Sequence, residues 1–242
     1  MKVLLINGSP KVKRSNSLQL ANAFVEGLGE AAERQGEKAE TRLMDVYSMN
    51  IKPCRGCFTC WSKTPGQCVI KDDMDEVIRA QLWADVIIFC FPLYYYNVPG
   101  ELKNLIDRQL PMAMPEMSER TDGVGKGSHP SRFDMSRKRF VLVSTCGFYT
   151  AEGNYDSVTA MFDHMLGKNH FETVFCGQGE LFGIPDLRER TGAYLQNVKA
   201  AGREYAGGTI SETTRKALRE VIFPKETFEA MANRSWENGS GS

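Results

Sequence analysis

The chain has 242 residues, 42% hydrophobic and 25% charged, with 30 Lys+Arg against 30 Asp+Glu. That length can bury an apolar core without staples, and zero net charge argues against a nucleic-acid binder or a polybasic membrane anchor. The opening apolar run, residues 3–6, is too short for a signal peptide, and no stretch approaches a membrane span. A cytoplasmic protein is therefore expected, in which clustered cysteines read as metal or redox groups rather than a disulfide framework.

Residues 2–6 are an apolar run ended by Gly8-Ser9-Pro10, a strand followed by a hydroxyl-rich loop. Helical spacing begins at Leu18 and lasts to about Arg34. Residues 40–46 read as a second strand through Leu43 and Val46. A cysteine-rich loop follows, and residues 72–82 read as a helix with acids in its first turn, where the dipole favours them. Residues 84–91 (ADVIIFCF) suit a strand buried on both faces, as in a parallel sheet. Pro99 opens another helix. Residues 111–137 are rich in Pro, Gly, Ser and Met with no period, a long excursion of the kind that serves as a functional lid. Then come a strand at 138–145, a helix at 155–166, a strand at 173–177 and a helix at 187–205.

Strands alternating with helices predict an α/β fold with a doubly wound five-stranded parallel sheet and helices on both faces. After Ala206-Gly207-Gly208 the pattern changes to a short helix over 212–222, a break at Pro224 and a turn at 228–231. The end, ENGSGS, reads as a disordered tail. The expected division is a main domain, 1–205, and a C-terminal helical extension, 206–242.

In a doubly wound sheet ligands sit beyond the C-terminal strand ends, where the strand order reverses. The first loop there, NGSPKVKRSNS over 7–17, fits neither a dinucleotide G-x-G-x-x-G turn nor a P-loop. It offers the hydroxyls of Ser9, Ser15 and Ser17, the amide of Asn16 and the backbone N–H groups of a helix start, the donors that a phosphate monoester needs. The same residues also serve as caps and turn formers, and both readings stand. After the third strand, FPLYYYNVPGELKNLIDR places three consecutive tyrosines at a strand end, where backbone donors can face a planar heterocycle and an aromatic ring can cover it. One or more of the tyrosines can equally be structural. After the fourth strand, Ser144-Thr145-Cys146-Gly147-Phe148-Tyr149 again brings a glycine and aromatics to a strand end.

The blocks GSPK…SNS, PLYYYNVPGELKNLIDR and STCGF resemble the flavodoxin-like NAD(P)H-dependent FMN reductase family over about residues 1–205. The cysteine loop followed by KDDM looks like the iron–sulfur flavoprotein branch of that family. The resemblance implies strand order 2-1-3-4-5 with FMN at the reversal point. It implies that Ser9, Ser15, Asn16 and Ser17 hold the phosphate. Pro92, Leu93, Tyr94, Tyr95, Tyr96 and Asn97 would edge the isoalloxazine, and Ser144, Thr145, Cys146 and Gly147 would close its other side. Hydride delivery to the flavin needs no general acid or base, so no catalytic side chain is named.

Four of the seven cysteines fall in the spacing Cys54-x2-Cys57-x2-Cys60-x7-Cys68. Three thiolates at steps of three can wrap one face of a cubane, with the fourth on an arm that Pro65-Gly66 turns back. Two zinc pairs would need a close partner that Cys68 lacks. The branch implies a 4Fe–4S cluster, yet cluster-free relatives also carry cysteines in this loop. A cluster, another metal and free thiols all remain open. Cys90 and Cys176 read as small buried hydrophobes, His164 as a surface helix residue and His129 as part of the excursion.

These expectations define an FMN-dependent oxidoreductase. The resemblance implies that it takes hydride from NAD(P)H and passes electrons to a quinone, a flavin or another small acceptor. The alternative is an iron–sulfur flavoprotein carrier between protein partners, for which the neutral charge is less suited; a third reading is a colourless thiol or zinc sensor. A homodimer or homotetramer is expected, with the excursion and the tail crossing to a second subunit to wall the pocket.

Overall fold

The computed structural model describes residues 1–237; residues 238–242, most of the predicted tail, lie outside the described residues. The chain runs β1 (Lys2–Asn7), α1 (Asn16–Arg34), β2 (Glu40–Asp45), α2 (Thr59–Ser62), α3 (Met74–Trp83), β3 (Val86–Pro92) and α4 (Gly100–Asp107). It continues through β4 (Ser118–Glu119), β5 (Gly127–Ser128), β6 (Arg139–Thr145), α5 (Asp156–Leu166) and β7 (Phe171–Cys176). It ends in α6 (Arg188–Tyr205), α7 (Glu212–Arg219) and α8 (Lys225–Glu237).

The main sheet has five strands in the order β2-β1-β3-β6-β7, every pair parallel. This is the flavodoxin-like 2-1-3-4-5 winding, and its order reverses between β1 and β3. Side chains alternate across the strands. Leu4, Ile6, Ile87, Phe89 and Leu142 face α3, α4 and α5, packing on Met74, Leu102 and Phe162. Val3, Leu5, Val86, Ile88 and Val141 face α1 and α6, packing on Phe24, Leu28 and Val198. Burial of each such side chain contributes about 1.5–3 kcal/mol, which explains why β3 is apolar on both faces.

Helices α1 and α6 touch backbone to backbone. A Cβ on Gly202 would lie 2.0 Å from the Phe24 carbonyl oxygen, and one on Gly27 would lie 2.0 Å from that of Lys199. Outside this glycine contact, the Lys199 ammonium pairs with Glu26 at 2.6 Å and Glu30 at 2.5 Å.

Two segments differ from the sequence expectation. The turn predicted at 228–231 lies inside the 13-residue helix α8. Phe228 is its one buried residue, so apolar spacing carries almost no signal there. The excursion at 111–137 contains an antiparallel hairpin of β4 and β5, each two residues long, which is too short to show alternation. The excursion is also anchored within its own chain: Arg120 Nη1 donates to the His164 carbonyl at 2.8 Å and Nη2 to that of Asp163 at 3.1 Å, satisfying carbonyls at the end of α5. The C-terminal segment likewise docks in its own chain. Tyr194 Oη donates to the Leu218 carbonyl at 2.9 Å, Arg215 pairs with Glu172 at 2.6 Å, and Ile210 and Leu218 join the α6 core.

Candidate functional site

Parallel pairing puts the ends of β1, β3 and β6 side by side on one rim. Asn7, at the end of β1, is fully buried and organises the first loop. Its Nδ2 donates to Asp45 Oδ1 at 2.6 Å and to the Val12 carbonyl at 3.2 Å. Its Oδ1 accepts from the Ser9 amide at 3.2 Å and the Cys90 thiol at 3.4 Å. Gly8 leaves room for α4, because a Cβ there would stand 2.6 Å from Leu102 Cδ2.

The predicted phosphate residues collect at the start of α1. Ser9, Ser15 and Ser17 are buried, while Asn16 is half-buried. Ser15 is the N-cap, its Oγ accepting from the Leu18 amide at 3.1 Å, so the capping reading holds for that oxygen. Its own O–H stays available as a donor. Ser17 Oγ lies 2.7 Å from Thr145 Oγ1, which joins the first loop to the third. The amides of Asn16 and Ser17 fall in the first turn and have no intrahelical acceptor.

The tyrosine loop is a tight turn. Tyr94 and Asn97 exchange amide–carbonyl bonds of 2.9 and 3.0 Å, with Tyr95 and Tyr96 between them at φ +50° and +63°. A left-handed residue other than glycine stores about 1–3 kcal/mol, and two large aromatics in succession pay it twice. Tyr95 is 100% exposed. Tyr96 stacks on Phe148 at 5.7 Å and 18°, and Ser157 Oγ donates to its carbonyl. Pro92 ends β3, and the Leu93 amide donates to the Thr145 carbonyl at 2.8 Å, so the second and third loops also meet.

Not every predicted residue turns its side chain to this cluster. Ser144 accepts from Tyr155 Oη at 3.0 Å and so faces α5, since neighbours in a strand point to opposite faces. Cys146 is buried with its thiol toward the Thr150 carbonyl at 3.7 Å. Gly147 lies against Glu180, whose Oε1 a Cβ would meet at 3.2 Å. The sequence reading passed over Asn7 and also Gln178, which is left-handed at φ +58°. Gln178 Nε2 donates to the carbonyls of Tyr149 at 3.1 Å and Phe223 at 2.8 Å, tying the third loop to the C-terminal segment. Inspection of the last strand end along with the others would have found it. A separate cavity of about 680 Å³ lies beside β7, between α5 and α7. It adjoins the third loop at Tyr149, but none of the predicted cofactor residues lines it.

The four cysteines line one hollow together with Arg55, Phe58, Ile70, Arg108, Leu110 and Pro111. Cys54 and Cys57 are exposed, Cys68 is half-buried and Cys60 is buried. Burial, then the neighbouring Cys68, Cys57 and Cys54, push the Cys60 thiol up. The Thr59 hydroxyl, which donates to Cys57 Sγ at 3.4 Å, holds that thiol below its usual range. The loop is clamped to the excursion and the residue before it: Trp61 Nε1 donates to the Leu110 carbonyl at 3.0 Å, and the Trp61 ring lies 4.7 Å from that of His129. Among the described residues no three His, Cys, Asp or Glu side chains converge on one metal-ion position. A cubane, by contrast, spaces its thiolates more widely than one tetrahedral ion does. Cys90 and Cys176 are buried, as expected, and desolvation pushes the Cys176 thiol up to about 12.

The winding, the hydroxyl-lined helix start and the aromatic turn define an α/β protein of the flavodoxin-like class. Residues 1–150 match the NADPH-dependent FMN reductase family, and the chain belongs to it. It is 39% identical over 111 residues to an iron-sulfur flavoprotein of Archaeoglobus fulgidus, covering 46% of each chain. It is 37% identical over 112 residues to an iron-sulfur flavoprotein of Methanocaldococcus jannaschii, covering 46% of this chain and 53% of that one. These matches span about half the length of the curated relatives. In fold the chain is similar to an NAD(P)H:quinone oxidoreductase from Methanothermobacter marburgensis, with TM-score 0.61 and 20% identity over 84% of this chain and 95% of that one. Among the described residues no helix is long and apolar enough to cross a membrane.

Proposed function

We propose that the chain is an FMN-dependent oxidoreductase that takes hydride from NAD(P)H and reduces a quinone, a flavin or another small acceptor. One observation carries the reading: the Ser17–Thr145 hydroxyl contact and the Leu93–Thr145 bond draw three strand-end loops together at the reversal point.

The donor set fits FMN. Buried hydroxyls and free first-turn amides at the start of the 19-residue α1 suit a phosphate dianion. Ser9, Ser15, Asn16 and Ser17 would hold it, with Lys11, Lys13 and Arg14 steering it in. Residues 92–97 would edge the ring, and Thr145, Cys146 and Gly147 would line its other side, Ser144 contributing backbone only. Bound FMN supplies the hydride-accepting chemistry. The protein orients the partners, and its stacked Tyr96–Phe148 pair keeps water from one flank.

The cysteine set fits a 4Fe–4S cluster in ligand chemistry: four thiols on one hollow with an apolar wall and a buried cation. The hollow is small as it stands, about 20 Å³. The relatives named iron-sulfur flavoprotein support this assignment and keep protein-to-protein electron transfer as the second reading. The exposed Tyr94, Tyr95 and Phe148 suit contact with a second copy in a homodimer or homotetramer.

Anaerobic reconstitution with FMN, ferrous iron and sulfide tests all of this. Rapid flavin bleaching by NADH or NADPH is the expected result. Bleaching by dithionite but by neither nucleotide would favour the carrier, and folded protein without FMN affinity would overturn both readings.

A further inference from the structure

We propose that Arg108, gripped by Asp72, is a positioning residue of the four-cysteine site and presents to its sulfurs a fixed positive charge and a spare N–H donor. The proposal rests on the cluster reading.

The Arg108 side chain is 1% exposed and that of Asp72 is 0% exposed. Nη1 donates to Asp72 Oδ2 at 2.7 Å and to the Lys52 carbonyl at 2.6 Å, and Nη2 donates to Asp72 Oδ1 at 2.9 Å. Asp72 is further held by the amides of Lys52 at 3.0 Å and Met74 at 3.2 Å. The carboxylate thus fixes the guanidinium by its two terminal nitrogens. The remaining Nε–H is buried with no hydrogen-bond partner, which native structures rarely tolerate without a reason.

The reason lies in where the group sits. Arg108 lines the cysteine hollow and Asp72 does not, so the ion pair is a dipole with its positive end toward the sulfurs. Arg55 lines the same hollow but is exposed, so water screens it. One-electron reduction of a bound cluster, by the reduced flavin or by dithionite, adds one negative charge there and changes no bond in the protein. A cation fixed beside the sulfurs favours the reduced state.

The test is a dithionite titration followed by EPR on FMN-loaded, anaerobically reconstituted wild type, Asp72→Asn, Arg55→Met and the double variant Arg108→Met/Asp72→Asn. The double variant removes both charges and leaves no unpaired buried ion; its flavin content reports folding. Relative to wild type, the midpoint potential is expected to fall in the double variant, rise in Asp72→Asn and move least in Arg55→Met. A midpoint that is unmoved, or that moves the same way in the first two, overturns the proposal. If the double variant keeps FMN but takes up no iron, the sign of the Asp72→Asn shift decides. Wild type without iron removes the cluster reading and this proposal together, whereas a full cluster with an immovable midpoint removes the role of Arg108 alone.

Discussion

The rim of strand ends and the cysteine arm are built on opposite plans. At the rim, the loops inherit their positions from a parallel sheet, and their polar atoms largely satisfy one another, as in the Asn7, Ser9 and Asp45 network. The cysteine arm hangs outside the sheet. It is held from beneath by the buried Arg108–Asp72 pair and from the side by Trp61 against His129. Placement comes free with the fold in the first region and depends on a few deep contacts in the second. Damage should therefore be graded at the rim and abrupt in the arm.

Arg108→Met alone would break that contrast most severely. It strands the Asp72 carboxylate, and urea unfolding should show a loss of about 3–5 kcal/mol. Gly8→Ala comes next: its Cβ would strike Leu102 at 2.6 Å, costing about 1–3 kcal/mol and weakening FMN in a fluorescence titration. Ser17→Ala removes the bridge to Thr145 and should cost about 1 kcal/mol of stability, with a further loss of FMN affinity because a proposed phosphate donor disappears.

Tyr95→Asn should act the other way. Asn tolerates the left-handed backbone that Tyr95 adopts, so stability should rise by about 1 kcal/mol. NADPH-driven flavin reduction in stopped flow should slow as the aromatic is lost. A mutant that gains both stability and rate would show that the strained turn serves no functional purpose.

The last prediction concerns acid. Burial works against the Asp72 carboxylate, but Arg108 and the Lys52 and Met74 amides outweigh it and hold the pKa below its usual value. An unfolded Asp titrates near about 3.9. The stabilisation is therefore fully present above that pH and is lost as pH falls through the lower folded value. Urea midpoints of wild type and Asp72→Asn should differ near neutrality and converge in strong acid. A constant gap would mean that the carboxylate is not what Arg108 requires.

Much of the rim was legible because it repeats a rule. Apolar strands predict a parallel sheet, a parallel sheet puts its loops on one edge, and Ser, Asn and Tyr at those edges stand out. The direction of Ser144 was not legible in the residue-type list, although strand alternation contains it once Thr145 is seen to face Ser17. Asn7 and Gln178 were passed over because a single amide in a turn looks like ordinary loop chemistry. The role of Arg108 was not legible, since its partner Asp72 lies 36 residues away and the spacing of either residue says nothing about burial. The short hairpin of β4 and β5 and the nearly polar α8 lack the periodicity on which pattern reading depends.

The uneven depth of the sulfurs has a practical consequence. Cys54 and Cys57 stand in solvent, Cys57 with its thiolate favoured by Thr59, while Cys90, Cys146 and Cys176 are sealed inside. Protein handled in air should spoil from the surface inward. Alkylation followed by mass spectrometry would mark Cys57 first and leave the three sealed thiols untouched until the chain unfolds, so a sample can lose its arm chemistry while its core still looks pristine.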